Sequence, residues 1–174
     1  MPLLLHAAFV PSALQILHSV SGLLDKAEAH CAQNGLEPAD LIGAKLAPDM
    51  LDFAYQVKSC AVHTAGAVAG VQAGNFSPDM ATPPDSFAGL KALIAAAIAQ
   101  LEALTEAELE ALADKAMTFT IGEKLRWDFT GANFLLSFSQ PNFYFHATTA
   151  YALLRLKGVA IGKVDYLGAM RKGV

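Results

Sequence analysis

Positive charge is thin in this chain: 12 Lys and Arg stand against 16 Asp and Glu in 174 residues, a formal charge of −4, and no basic run gathers them. Binding through a phosphate backbone needs a concentrated positive face, so nucleic acid is not expected as a partner. Cysteine is nearly absent. Cys31 and Cys60 have no CxxC or zinc-ribbon spacing, which excludes a disulfide framework and reads both as small buried apolar groups in a reducing cytoplasm. Also missing are a Gly-rich phosphate loop, a GxSxG elbow, an HExxH motif and the ExxH pairs that hold a di-iron centre in a bundle. No uninterrupted apolar run approaches the roughly 18 residues of a membrane span, so no membrane partner is expected. The apolar stretch 1–10 has no basic leading segment or cleavage pattern, and Pro11 interrupts it, so it does not read as a secretory signal.

What is present is apolar and helical. Hydrophobic residues make up 54% of the chain and charged residues 16%, with much alanine, a composition suited to helices packed closely against one another. A domain of this length buries a core without disulfides or structural metal, and no repeat or second domain interrupts 1–174. Leu14, Leu17, Val20, Leu24, Ala27 and Cys31 recur at three- and four-residue steps, predicting a first helix over about 11–33. Pro48 reads as the first position of a second helix reaching about residue 71. A Pro-rich connection over 74–85 leads to a third helix from about Ser86, and Thr105 with Glu108 has the form of a capping box for a short helix. A fourth long helix is expected from Gly131 to Gly158, kinked or broken at Pro141. Before it the period drops to two. Met117, Phe119 and Ile121 alternate with threonines, and Leu125, Trp127 and Phe129 with Arg126 and Asp128, which predicts a β-hairpin. For both apolar sets to share one face, Ile121 must pair with Leu125 across a three-residue loop.

Polar side chains line up on two of these helices. Asp52, Gln56, Ser59 and His63 lie four, three and four residues apart, hence on one face of the second helix. Asn142 and His146 share a face of the fourth, with Thr149 following. Two such lines on neighbouring helices can converge on a pocket inside a bundle. Each residue also has a structural use: His63 and His146 as hydrogen-bonded core groups, and Asn142 as the partner of a carbonyl freed near Pro141. His6, His18 and His30 are weaker candidates, near the terminus or facing solvent. Tyr144, Thr148, Tyr151 and Arg155 form a second line, able to bind an anion or to pack on the C-terminal tail.

The segments LAPDM (46–50), QVKSC-AVHTA (56–65), PNFYFHATTAYALLR (141–155) and GVAIGKVDYLG (158–168) resemble the hallmark blocks of a bacterial domain-of-unknown-function family in the DinB/YfiT-like superfamily. The similarity runs from about Phe9 to Gly168. It implies a mainly α, DinB/YfiT-like four-helix bundle with a small β-hairpin before the last long helix, often dimeric, in which many relatives bind a divalent metal such as zinc or nickel. Some relatives are thiol-dependent transferases or isomerases. His63 matches their ligand on helix two and His146 the second histidine of their HxxxH pair, but the first falls here on Asn142. A catalytic zinc site has three nitrogen, sulfur or carboxylate ligands, and an amide oxygen replaces one poorly. The expectation is therefore a small-molecule or weak metal site at Asp52, Gln56, His63, Asn142 and His146. A bound metal would polarise a substrate or activate water or a thiol; without one, a histidine could act as general base. The alternative is a non-catalytic structural or interaction protein acting as a homodimer.

Overall fold

The chain's structure, a computed structural model, is described over residues 3–172. Its first helix, α1 (Leu5–Asn34), starts six residues earlier than the apolar spacing predicts and carries Pro11 inside it. The physical reason is burial. An internal proline costs about 3 kcal/mol, but Leu5, Phe9 and Val10 are all buried by continuing the helix upstream, and each such side chain gains about 1.5–3 kcal/mol. α1 is the one described helix long and apolar enough to cross a membrane by length and composition; half of its most apolar window is buried in the bundle. Gly35, in the left-handed region at φ 63°, ends it by donating its N–H to the Cys31 carbonyl.

A short α2 (Pro38–Ile42) follows. The second long helix does not begin at Pro48, which lies in a turn, but at Phe53. Asp52 decides this: its carboxylate accepts from the Tyr55 N–H at 2.9 Å, satisfying an otherwise orphaned donor, while the Phe53 N–H donates to the Ala44 carbonyl at 2.8 Å. From there the chain stays helical to residue 73 as α3 (Phe53–Ala61), a π-helical turn (Val62–Gly66) and α4 (Ala67–Ala73). α5 (Phe87–Ala103) begins beside Ser86, as expected, where the Ser86 hydroxyl accepts from the Gly89 N–H, and α6 (Glu106–Glu110) carries the reciprocal capping box between Thr105 and Glu108.

The hairpin is β2 (Ala116–Ile121) and β3 (Leu125–Thr130), with Ile121 opposite Leu125 as the alternation requires. Two features depart from the expectation. A two-residue strand, β1 (Asn75–Phe76), pairs in parallel with β2, setting Phe76 beside Phe119 and making a three-stranded sheet. Gly70 makes room for it, since a Cβ there would lie 2.8 Å from the Phe76 ring. In addition, the apolar face of the hairpin is only partly buried: Met117 and Phe119 of β2 are buried, whereas Ile121 at its end and Trp127 on the edge strand are about half exposed.

The last long helix runs through α7 (Gly131–Asn133), a second π-helical turn (Phe134–Ser139) and α8 (Gln140–Leu156). Pro141 falls in the first turn of α8, directly after the wider turn, so the helix adjusts its winding there instead of stopping. α9 (Lys163–Leu167) closes the chain against α1. The long helices α1, α3–α4, α5 and α7–α8 form the bundle: α3 packs on α8 and α5, and α1 on α5 and α8. Three residues of the second polar line on α8, Thr148, Tyr151 and Arg155, serve the tail, while the Tyr144 hydroxyl accepts from Gln140 within the helix. Thr148 donates to the Tyr166 hydroxyl at 3.1 Å, Tyr151 packs edge-on to Tyr166, and the Arg155 guanidinium donates to the Ile161 carbonyl.

Candidate functional site

The two π-helical turns face each other. His63 belongs to the first, Phe138 and Ser139 to the second, and the Ser139 hydroxyl donates to the His63 carbonyl at 2.9 Å, joining them. A π turn holds one residue more per turn than an α-helix, so it rotates the side chains beyond it. Here it helps bring His63 and His146 together, with ring centroids 5.5 Å apart and planes within 15° of parallel.

Both rings line a cavity of about 320 Å³. Tyr55, Ser59 and Val62 of the second long helix form one side, and Phe138, Asn142 and His146 another. The sheet supplies Phe76, Phe119, Ile121 and Trp127, and the Pro-rich connection supplies Pro78 and Asp79. Phe76, Phe119 and Trp127 are successive cross-strand neighbours, with centroids 6.3 and 5.5 Å apart, and Phe138 stands 4.6 Å from Phe119. The walls are thus largely aromatic and the polar groups few, as in ligand pockets generally.

The histidine tautomer at position 146 follows from its neighbours. Gln56, buried, donates its amide Nε2–H to the Leu51 carbonyl at 2.9 Å, which turns its Oε1 toward His146. That oxygen lies 2.7 Å from His146 Nδ1 and can only accept, so Nδ1 carries the proton and Nε2 keeps a free lone pair. His63 Nδ1 is buried with no hydrogen-bond partner. Burial holds the His63 imidazole down to about 4, with the charge of a protonated His146 opposing it further, and burial holds His146 down to about 4 as well. Both rings are neutral at neutral pH.

Of the five residues expected here, Gln56, His63, Asn142 and His146 come together, with Gln56 behind His146 instead of in the wall. Asp52 does not line the cavity; its carboxylate is committed to the α3 cap. Asn142 takes its expected structural role, its Nδ2 donating to the Phe138 carbonyl at 2.7 Å, and the residue also lines the cavity. Thr149 hydrogen-bonds the Phe145 carbonyl within its own helix.

One group was not anticipated. Lys58, whose side chain is 6% exposed, donates to the carbonyls of Asp79 and Ala81 and pairs with the Asp79 carboxylate at 3.1 Å. It clasps the connection over the cavity. Burial works to raise the Asp79 carboxyl, but the Ala81 N–H and the Lys58 ammonium together hold it below the usual range. The available signal was a lone lysine on an apolar helix, which if buried must find an anion.

The donor set does not fit a resident metal. Among the described residues no group of three His, Cys, Asp or Glu side chains is placed to hold an ion. Two imidazoles and an amide fall one ligand short of the usual three, and the one carboxylate lining the cavity is engaged by Lys58. Cys60 is buried with its thiol pushed up by desolvation, far from a reactive thiolate.

The family model described as Domain of unknown function (DUF1993) matches residues 5–167. Among solved structures, the crystal structure of a DinB family member protein from Shewanella denitrificans is 29% identical, with a TM-score of 0.83 over 98% of this chain and 95% of that one. No curated protein matches the chain.

Proposed function

Because the chain belongs to DUF1993, a family of domains of unknown function in the DinB-like superfamily, we propose that it is a small-molecule-binding bundle whose site is the cavity around His63, Asn142 and His146. One observation carries the reading: two neutral imidazoles with unspent nitrogens share a largely aromatic cavity of about 320 Å³. Leaving a buried polar group unpaired costs about 1–3 kcal/mol, and such costs persist in native structures chiefly where function holds them. Binding is favoured over proton abstraction. A histidine at about 4 is a feeble base at neutral pH, whereas a general base works best with a pKa near the operating pH.

The test is a fragment screen on the ¹⁵N-labelled chain, read at Trp127, the single tryptophan, which lines the cavity. Fragments that move its indole N–H resonance, and lose that effect in His63→Phe and His146→Phe, support the reading; a library that leaves it unmoved removes it. Elemental mass spectrometry on untagged protein tests the competing weak-metal reading. Near-stoichiometric zinc or nickel, lost in both His63→Ala and His146→Ala, would replace the metal-free reading with a metal centre.

The reading extends to a homodimer in the cytoplasm. Phe145, Leu156 and Val164 are exposed apolar side chains that a partner surface could cover, and both cysteines are free and buried, compatible with a reducing compartment. Light scattering that gives a monomer mass at micromolar concentration would remove the dimer.

A further inference from the structure

The cavity's polar groups select a ligand by what they lack. Among the described residues no uncompensated charge faces it. Asp79, its one lining carboxylate, is paired at 3.1 Å with Lys58. Lys58 in turn is saturated by the carbonyls of Asp79 and Ala81 and by the Tyr55 ring, 5.5 Å from its ammonium. An anion entering would find no free cation, and a cation no free carboxylate; either would lose its hydration without compensation.

The Tyr55 and Ser59 hydroxyls and the His63 ring, which also line the cavity, can each serve as donor or acceptor, so the groups whose direction is fixed decide the polarity. The chain from the Leu51 carbonyl through the Gln56 amide fixes His146 Nδ1 as donor, so the nitrogen left for an occupant, Nε2, can only accept. Asn142 spends one of its two amide N–H donors on the Phe138 carbonyl, and its Oδ1 is a second acceptor. At His146, where the direction is fixed, the site asks for a donor. Its walls ask for a flat apolar body: Phe119, Trp127 and Phe138 present rings at centroid spacings of 4.6–6.3 Å, the range of offset and edge-on aromatic packing. The volume, about 320 Å³, is roughly twice the ~150 Å³ cavity that takes up one benzene.

Resting on the small-molecule reading above, we propose that the occupant is an uncharged aromatic molecule of about bicyclic size bearing one N–H or O–H donor, which His146 Nε2 accepts. Ligand selection then comes from the Leu51–Gln56–His146 chain, which sets the direction of the hydrogen bond, and the sheet-edge aromatics set the shape. Gln56 acts here as a positioning residue and does not touch the ligand.

The experiment compares four probes on the full chain, each titrated against the Trp127 indole resonance: indole, indene, indole-3-carboxylate and tryptamine. Indene keeps the bicyclic outline and removes the N–H; the other two add a charge of either sign. The expected result is that indole binds about tenfold tighter than indene, the worth of one net hydrogen bond, and that both charged probes bind more weakly than indole. In His146→Phe, indole and indene become equal. The wild-type comparison stands even if that variant fails to fold. Indene binding as tightly as indole, or a charged probe binding more tightly, overturns the donor assignment while leaving a ligand cavity in place. Silence from all four overturns this proposal, and silence across the wider screen also removes the pocket reading on which it rests.

Discussion

At position 63 the fold keeps an imidazole nitrogen buried and unpartnered beside a second neutral imidazole. Replacing His63 by Phe removes that liability at similar volume, so the variant is expected to be more stable than the wild type by about 1 kcal/mol, read as a higher urea midpoint, while losing fragment binding. A drop in stability would mean that the nitrogen is satisfied in solution. The same two rings set a pH dependence. Each sits at about 4 in the fold against 6.5 for the ordinary side chain, so the unfolded chain takes up protons first as pH falls. Their contribution is therefore complete above about pH 6.5 and is lost between there and about pH 4, by at most about 3 kcal/mol for one ring. Urea midpoints measured across that window should fall in the wild type and fall less in the His63→Phe, His146→Phe double variant; equal slopes would sink the argument. Gln56 belongs to the same chain of bonds. Gln56→Leu leaves the Leu51 carbonyl and His146 Nδ1 without their partners, at a cost of about 1–3 kcal/mol in the same assay.

Among the elements, the helix that carries Asn142 and His146 depends on how it starts. Gly131, the first residue of α7, donates its N–H to the Lys115 carbonyl at 2.8 Å, and a Cβ built there would stand 2.1 Å from the Leu112 carbonyl oxygen and 2.7 Å from Val71 Cγ1. Neither the backbone nor a buried β-branched side chain can yield cheaply. Gly131→Ala is expected to destabilise by about 3 kcal/mol and to disturb the Trp127 resonance; a midpoint within error of wild type would show that the α6–β2 segment moves freely. The elements also separate what could be read locally from what could not. The hairpin register was legible because an apolar–polar alternation fixes which residues share a face, and Thr105 with Glu108 announced α6 by capping chemistry. The start of the second long helix was not legible. Pro48 has the form of a first helical position, but the bond from Phe53 N–H to the Ala44 carbonyl, a tertiary contact, and the Asp52 cap set the start five residues later.

Over the whole molecule the Lys58 clasp ties the connection between α4 and α5 to the bundle and thereby closes one wall of the cavity. Lys58→Met keeps the apolar stem but removes three bonds, leaving the half-exposed Asp79 to water. Because that exposure blunts the penalty, the cost is expected to be about 1–2 kcal/mol. The more telling readout is limited proteolysis, with cleavage between residues 77 and 85 faster in the variant than in the wild type. An unchanged cleavage rate would show that other contacts hold the connection.

The sequence by itself determined the helical class, the hairpin, and the polar lines on which Gln56, His63, Asn142 and His146 lie. Those features follow from periodicity and from side-chain chemistry within a few residues, which act before any tertiary contact exists. Resemblance to DinB-like relatives pointed to the same two histidines. Only the tertiary structure decided that the rings stand 5.5 Å apart, that Asp52 caps a helix instead of facing the cavity, and that Lys58 cancels the charge of Asp79. The physical reason is that each of these depends on a partner far away in the chain or on the winding of a turn. The two π turns that bring His63 and His146 together carry no local residue signature, because an extra residue per turn is stabilised by packing such as the bond from Ser139 to His63, 76 positions apart.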